Sequence, residues 1–312
     1  MNKGIVIRST GSWYTVSSVI EGEQEQVMCK IKGKFRMAGI RTTNPVAVGD
    51  FVEFIYSEKD DIGLIRKIEP RRNYIIRKSI NLSKQAHIIA ANIDLAILVV
   101  TLTKPKTSTV FVDRFLVSAE AYKIPALIVF NKTDIYTEKE NSQLLKLTEL
   151  YSAIGYDCIA VSAIEEINLS GLKDLMKGKV SVFSGNSGVG KSTLINAIEP
   201  GLDIKTAEIS DVHKTGKHTT TFAEMHELSF GASIIDTPGI KGMGMVDMDN
   251  ENLSIYFPEM LKEMNQCKFY NCTHTHEPNC AIKEAIEAGT ISFSRYESYL
   301  SLISDSDEEK YR

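Results

Sequence analysis

The sequence lacks long hydrophobic runs, and this absence narrows the class of protein. Among its 312 residues the longest apolar run is LAILVV at 95–100, whereas a membrane-spanning helix needs roughly 20 apolar residues. The N-terminus MNKGIVIRSTGSWYTV has no long apolar core and no small-residue cleavage site, so it predicts no secretory signal. We therefore expect a cytoplasmic protein without membrane contact, and no feature predicts a stable oligomer.

Cysteine is also scarce, and its distribution argues against a disulfide framework. The chain has five cysteines, an odd number in a sequence without an export signal. Cys29 and Cys158 stand alone, whereas Cys267, Cys272 and Cys280 fall within one short segment. A tight cysteine cluster in a reducing compartment favours metal binding over cross-linking.

The segment CKFYNCTHTHEPNC spaces Cys267, Cys272, His274 and Cys280 as Cys-x4-Cys-x-His-x5-Cys. Three thiolates and one imidazole form a closed tetrahedral zinc site, which is structural because no position stays open for water. His276 competes for the place of the fourth ligand. Reduced cysteines without a metal are the alternative interpretation.

Charge is unevenly distributed in a chain whose net charge is only −4. Residues 28–43 contain basic side chains and no acid, and residues 66–84 contain basic side chains against Glu69 alone. A basic N-terminal third favours a polyanion partner, and a merely solvated basic face is the alternative. The basic residues of these stretches are Lys30, Lys32, Lys34, Arg36, Arg41, Arg66, Lys67, Arg71, Arg72, Arg77, Lys78 and Lys84.

Hydrophobic patterning divides the chain into three parts. Residues 1–68 contain short strand patterns broken by glycine and polar turns, typical of a small β-barrel of the oligonucleotide-binding (OB) or SH3-like type. From about residue 90, apolar strands alternate with helices near 111–123, 141–154 and 169–177. This alternation predicts a parallel, doubly wound α/β sheet. The pattern of residues 247–312 predicts a small helical module around the metal.

A glycine-rich segment, GNSGVGKS, lies between the apolar strand VSVFS and the helical pattern STLINAI. It fits the phosphate-loop pattern, in which glycines let backbone N–H groups wrap phosphate oxygens. We expect Lys191 to reach the β- and γ-phosphates and Ser192 to ligate Mg²⁺. A glycine-rich turn without a ligand is the alternative. The predicted nucleotide-binding residues of this segment are Gly185, Asn186, Ser187, Gly188, Val189, Gly190, Lys191, Ser192 and Thr193.

The tetrapeptide NKTD follows the buried strand ALIVF and predicts specificity for guanine. Open α/β sheets bind ligands at this end of their strands. Asp134 can accept both donors on one edge of guanine, Asn131 can bond the other edge, and the Lys132 stem can cover the ring. The tripeptide VSA ends the next strand, and we include Ser162 and Ala163, whose N–H can bond guanine O6, among the binding residues.

The segment IIDTPG predicts the metal side of the nucleotide site. Asp236 ends a strand and can hold Mg²⁺ directly or through water, and the Gly239 N–H can face the γ-phosphate. The run HTTT lies between GNSGVGKS and DTPG. One of Thr219, Thr220 and Thr221 can complete the Mg²⁺ shell, with Thr220 or Thr221 favoured.

One polar residue is missing from this pattern. Many signalling GTPases carry a glutamine after D-x-x-G to orient water, but Ile240 occupies that position here. His218 is the predicted replacement, because a histidine can orient water or accept a proton near neutral pH. The alternative for His218 is an exposed loop histidine. Together with Lys191, it completes the predicted catalytic residues.

The order of these motifs resembles that of one known family. NKTD, VSA, GNSGVGKS, HTTT, DTPG and the Cys-x4-Cys-x-His-x5-Cys pattern are together similar to RsgA (YjeQ/YloQ), and the resemblance covers nearly the whole chain. It implies a circularly permuted P-loop GTPase domain at 69–246, flanked by an N-terminal OB-type β-barrel at 1–68 and a C-terminal helical zinc-binding domain at 247–312. The permutation accounts for NKTD preceding the phosphate loop.

The same resemblance implies a function. It implies GTP as substrate, hydrolysis to GDP and phosphate, rRNA binding and assistance in late maturation of the small (30S) ribosomal subunit, which stimulates turnover. It also implies that His218 is catalytic. Asn279 and Lys241 depart from residues common in the family, and neither touches a ligand in its scheme.

Two other functions remain open from the sequence alone. One is a GTP-dependent switch that binds a protein and contacts no RNA, against which the basic stretches argue. The other is a nucleic-acid-binding module whose nucleotide site has lost hydrolysis, against which Lys191, Ser192 and Asp236 argue.

Overall fold

The computed structural model of the chain describes residues 1–31, 45–57, 60–78, 86–202, 223–236 and 250–310. Thirteen strands and seven α-helices lie within these ranges. None of the described helices combines the length and hydrophobicity that crossing a membrane requires.

Five strands at the N-terminus close into a barrel in the order β1-β2-β3-β5-β4, and β4 pairs back with β1. All pairings are antiparallel except that of β3 with β5. The barrel is closed, and β5 lies between β3 and β4. This strand order is that of an OB-type barrel and not of the SH3-like alternative. The strands are β1 (Asn2–Ser9), β2 (Tyr14–Ile20), β3 (Glu23–Ile31), β4 (Phe51–Ser57) and β5 (Ile62–Ile68).

The barrel has its own apolar core because buried side chains alternate with more exposed ones along parts of β3, β4 and β5. Tyr14, Phe54 and Ile65 are among the fully buried members of this core. The β2–β3 turn consists of Glu21 and Gly22, with φ values of 52° and 91°. Two positive φ angles define a tight hairpin turn that matches the twist of the flanking strands.

A two-stranded hairpin of β6 (Tyr74–Lys78) and β7 (Ala86–Ala91) follows the barrel. No strand pattern in the sequence predicted it. Ile75, Ile88 and Ala90 are buried in the same core as the helices of the α/β domain. The hairpin therefore belongs to the packing of that domain rather than to the barrel.

The central sheet has the order β10-β9-β8-β11-β13-β12. The first five strands are parallel, as predicted, but β12 runs antiparallel to β13 at the edge. Strand β12 also pairs with β1 of the barrel through Arg8 and Glu224. The strands are β8 (Leu95–Val100), β9 (Ala126–Phe130), β10 (Asp157–Ala160), β11 (Val180–Ser184), β12 (Glu224–Glu227) and β13 (Ser233–Asp236).

Helices cover both faces of this sheet, which makes it doubly wound. Helices α1 (Thr109–Tyr122) and α2 (Glu138–Ile154) pack on one face, and α3 (Leu169–Met176) and α4 (Lys191–Ile198) pack on the other. Alternate residues of β8 enter the two cores, because successive strand side chains point to opposite faces. All four helices lie where the sequence predicted them.

The C-terminal module is helical, as expected, and packs against α1. Its core contains Phe257, Met260, Tyr299 and Leu302, together with Val117 of α1. After a 3₁₀ helix (Asn250–Tyr256) it comprises α5 (Pro258–Glu263), α6 (Ala281–Glu287) and α7 (Phe293–Lys310).

Candidate nucleotide site and metal centre

The phosphate-loop segment connects β11 to α4, in the strand–turn–helix context that the motif requires. Gly190 caps the start of α4 with φ 91°. The Lys191 ammonium donates to the carbonyls of Gly185 and Asn186 at 2.7 and 2.8 Å. The loop is therefore closed around its lysine, with Ser192 buried beneath it in the first turn of α4.

Two glycines of this loop are required by close contacts. A Cβ at Gly185, whose φ is 143°, would lie 2.3 Å from the Val99 carbonyl oxygen. A Cβ at Gly190 would lie 2.6 Å from Nδ2 of Asn131. Any larger residue would therefore push the loop away from both β8 and the NKTD segment.

NKTD and the phosphate loop, which are separated along the chain, meet through Asn131. Its side chain is fully buried, and Nδ2 donates to the Val189 carbonyl at 2.9 Å. Its Oδ1 accepts from the Ala163 N–H at 3.3 Å. One side chain thus joins three of the predicted segments, NKTD, VSA and GNSGVGKS.

Lys132 adds a second connection. Its backbone is left-handed, with φ 64°, and its ammonium donates to the carbonyls of Gly188 and Lys104, each at 2.7 Å. Lys104 belongs to the 101–107 turn, which no sequence motif marks as part of the site. The turn meets the site through a backbone carbonyl, and no residue pattern marks such a contact.

Asp134 is exposed at the end of this segment, where it can accept hydrogen bonds from a base. Its Oδ1 accepts from the Ser162 hydroxyl, and the same Ser162 oxygen accepts from the Glu165 N–H at 3.2 Å. Ser162 is fully buried, so its hydroxyl orients the Asp134 carboxylate from the protein interior. Its neighbour Ala163 uses its N–H to hold Asn131.

The structure describes only some of the residues that are predicted to lie around Mg²⁺ and the γ-phosphate. Asp236 ends β13, which is the sheet neighbour of β11 and therefore brings Asp236 to the same edge as Ser192. The remaining predicted residues lie outside the described ranges: His218, Thr219, Thr220, Thr221, Gly239 and Ile240.

Cys267, Cys272, His274 and Cys280 come together into one cluster, with their ligand atoms within 4.8 Å of one another. The Cys267 and Cys280 sulfurs are 4.0 Å apart, and His274 Nδ1 lies 3.6 and 3.4 Å from them. Tetrahedral Zn–S bonds of about 2.3 Å separate two sulfurs by roughly 3.8 Å. The four residues therefore fit zinc.

Burial changes the ionisation of the side chains in the cluster. Burial raises the pKa of the Cys272 thiol to about 12 and lowers the pKa of His274. A bound cation would stabilise the thiolate against this burial. His276, the competing fourth ligand, is exposed and pairs with the Thr275 hydroxyl, whereas His274 lies within the cysteine cluster.

Neighbouring side chains hold the backbone of this cluster. Tyr296 and Tyr299 of α7 donate to the carbonyls of His274 and Thr273 at 2.6 and 2.7 Å. The Glu277 carboxylate accepts from the Thr273 N–H at 2.8 Å and from further backbone N–H groups of the loop. Burial opposes ionisation of Glu277, but the hydrogen bond from the Thr273 hydroxyl, together with these backbone bonds, outweighs it and lowers the pKa of Glu277 to about 2.

The basic stretches have more acidic partners in the fold than along the sequence. The Arg71 side chain is buried and donates to both carboxylate oxygens of Asp50 at 2.6 Å. Lys67 pairs with Glu53 and Glu69, and Arg72 pairs with Asp94.

Lys30, by contrast, lies over the Trp13 ring, 3.8 Å from its centroid, and Arg66 is exposed. Part of the predicted basic face is therefore structural.

Two family models match the chain. The model described as RsgA GTPase matches residues 68–246, and the model described as RsgA N-terminal domain matches residues 3–65. Together they span both the barrel and the α/β domain.

Full-length relatives are similar along the whole chain. Proteins named "Small ribosomal subunit biogenesis GTPase RsgA" from Flavobacterium psychrophilum and Christiangramia forsetii are each 55% identical to it. The matches cover 99% of this chain, and 94% and 98% of those proteins respectively.

Two solved structures have the same fold. YjeQ from Thermotoga maritima aligns with a TM-score of 0.80 at 36% identity and covers 98% of each chain. YloQ, described as a circularly permuted GTPase, aligns with a TM-score of 0.76 at 29% identity and covers 99% of this chain and 96% of its own. These similarities confirm the permuted arrangement that the motif order predicted.

Proposed function

This chain belongs to the RsgA family of GTPases, and from that premise we propose that it hydrolyses GTP to GDP and phosphate while assisting late maturation of the small (30S) ribosomal subunit, whose rRNA it binds. The relatives named as small ribosomal subunit biogenesis GTPases support the proposed partner. We also propose that it acts as a cytoplasmic monomer.

The observation that carries the proposal is the contact between the guanine-reading and phosphate-binding segments. The Asn131 Nδ2 to Val189 O hydrogen bond of 2.9 Å and the Lys132 Nζ to Gly188 O hydrogen bond of 2.7 Å join them at one sheet edge. Guanine presents two donors on one edge, and the Asp134 carboxylate can accept both. Adenine lacks that pair, so this arrangement supports GTP over ATP.

The predicted catalytic and Mg²⁺-binding residues have separate roles in the proposed hydrolysis. Lys191 would stabilise charge on the β- and γ-phosphates. Ser192 and Asp236 would hold Mg²⁺, helped by Thr220 or Thr221, and the ion would neutralise charge that develops on the phosphates. His218 would orient the attacking water, because the side chain of Ile240 cannot hydrogen-bond. His218→Ala should then abolish stimulated turnover, and a normal stimulated rate would remove this role from His218.

The zinc cluster has a structural role in the proposal. Four protein ligands close the coordination shell, and the cluster is linked to α7 by Tyr296 and Tyr299. Zinc would therefore fix the shape of the C-terminal module rather than take part in hydrolysis.

RNA binding is tested by its dependence on salt. Binding to small subunits should weaken as salt rises, because neutralised phosphates release counterions. Lys30→Glu on the barrel should lower the affinity and flatten the salt slope, whereas Lys139→Glu on the exposed start of α2 is the matched control. Binding that is indifferent to salt and to Lys30→Glu would favour the alternative, a GTP-dependent switch that binds a protein without RNA contact.

A further inference from the structure

We propose that Tyr136 is a positioning residue for the guanine base and acts through the backbone of Asn131. The inference rests on the proposed GTP site and assigns to that site a residue outside the NKTD, VSA and phosphate-loop motifs. Tyr136 follows NKTD by two positions, at the end of a 3₁₀ helix formed by Thr133–Ile135.

The Tyr136 hydroxyl bridges two backbone groups of the nucleotide site. It donates to the Asn131 carbonyl at 2.8 Å and accepts from the Leu102 N–H at 3.1 Å, and both hydrogen bonds are buried. Burial raises the pKa of Tyr136, so the hydroxyl keeps its proton at neutral pH. No apolar side chain could satisfy both backbone groups at once.

Leu102 is the second residue of the 101–107 turn, so this hydrogen bond joins the turn to NKTD. The turn is closed by the Thr107 N–H, which donates to the Thr101 carbonyl at 2.8 Å. Its Lys104 carbonyl accepts from the Lys132 ammonium. The turn thus holds NKTD from one side through Tyr136 and Lys132.

The Asn131 side chain is held by the phosphate loop and by VSA. Its Nδ2 donates to Val189 and its Oδ1 accepts from Ala163. An amide nitrogen carries two hydrogens, so Nδ2 keeps one for N7 of guanine. The direction of that N–H depends on where the Asn131 backbone lies, and the Tyr136 hydroxyl sets that position.

The test begins with the release of a fluorescent GDP from the full-length Tyr136→Phe variant. Losing this hydroxyl leaves two buried backbone groups unsatisfied, and we expect release to be about tenfold faster. KM for GTP should rise by more than kcat changes, because the loss concerns binding of the base rather than the reacting phosphate.

Tyr156→Phe is the matched control. Tyr156 is also buried in the α/β domain, but its hydroxyl donates to the Glu120 side chain of α1 at 3.0 Å rather than to a backbone group of the nucleotide site. Its variant should lose stability while releasing GDP at the wild-type rate. Equal acceleration in both variants would overturn the proposal, because it would indicate general destabilisation.

A base analogue gives a readout that stability alone would not move. 7-Deaza-GTP lacks the N7 acceptor, so it should bind wild type several-fold more weakly than GTP, and this difference should shrink in Tyr136→Phe. An undiminished difference, or wild-type release from Tyr136→Phe, would overturn the proposal. Failure of the wild type to bind GTP at all would instead overturn the proposed function.

Discussion

Arg295 of α7 and Asp113 of α1 form a buried ion pair, with Nη1 2.7 Å from Oδ1. The guanidinium also donates to Glu259 of α5, and Tyr151 donates to Asp113. Burial raises the pKa of Asp113, and the charge of Arg295 opposes that rise. One arginine therefore joins the C-terminal helical module to α1, the helix that follows the 101–107 turn.

Arg295→Met should destabilise the protein by about 3–5 kcal/mol, because the buried Asp113 and the largely buried Glu259 would both lose their cation. Urea unfolding followed by circular dichroism measures this loss. Arg8→Met is the control, since the Arg8–Glu224 pair is half exposed with its charges 3.7 Å apart, and its loss should cost less than about 1 kcal/mol. Similar costs for the two variants would contradict the role of the buried network.

His274→Ala should abolish zinc binding, whereas His276→Ala should leave it intact. The imidazole of His274 lies within the sulfur cluster, and that of His276 is exposed. Zinc content of the purified variants by atomic absorption gives the answer. We also expect loss of zinc to lower the melting temperature, because metal binding contributes to folding. Zinc retained by His274→Ala and lost from His276→Ala would reverse the assignment.

Gly190→Ala should strongly weaken guanine-nucleotide binding. Its Cβ would lie 2.6 Å from Asn131 Nδ2, and its φ of 91° disfavours side chains. Gly201→Ala, whose nearest neighbour would be 3.8 Å away, is the control and should bind normally. Titration with fluorescent GDP measures both. Unchanged affinity in Gly190→Ala would mean that the two segments need not approach so closely.

The barrel should lose stability at alkaline pH. Burial raises the pKa of Cys29 to about 12 from its ordinary 9.0. The folded pKa is higher than the unfolded one. The contribution of the protonated Cys29 thiol to the free energy of unfolding is therefore complete below pH 9. It is lost as pH rises towards 12, by up to about 1.4 kcal/mol per pH unit.

Cys29→Val, which cannot ionise, should lose stability less steeply over the same pH range. Urea unfolding can be followed through Trp13, because the chain contains one tryptophan and it lies in the barrel. Identical pH dependence of the two proteins would show that the Cys29 thiol does not titrate with unfolding.

The features that could be predicted from sequence were those with local signatures. The phosphate loop, NKTD and the cysteine spacing each occupy one short stretch, and chain order then indicated the permutation. The antiparallel direction of β12 has no such signature. Arg71 was read as part of a basic face, but it is buried against Asp50, which lies 21 positions earlier. The 101–107 turn contributes a carbonyl to the site, which any residue could supply.

Stimulation of GTP turnover by purified small ribosomal subunits tests the proposed function most directly. Phosphate release from the full-length chain should be slow alone, rise severalfold or more with small subunits, and stay slow with large subunits. Lys191→Ala should remain inactive in all three conditions. A turnover rate that small subunits leave unchanged would contradict the proposal.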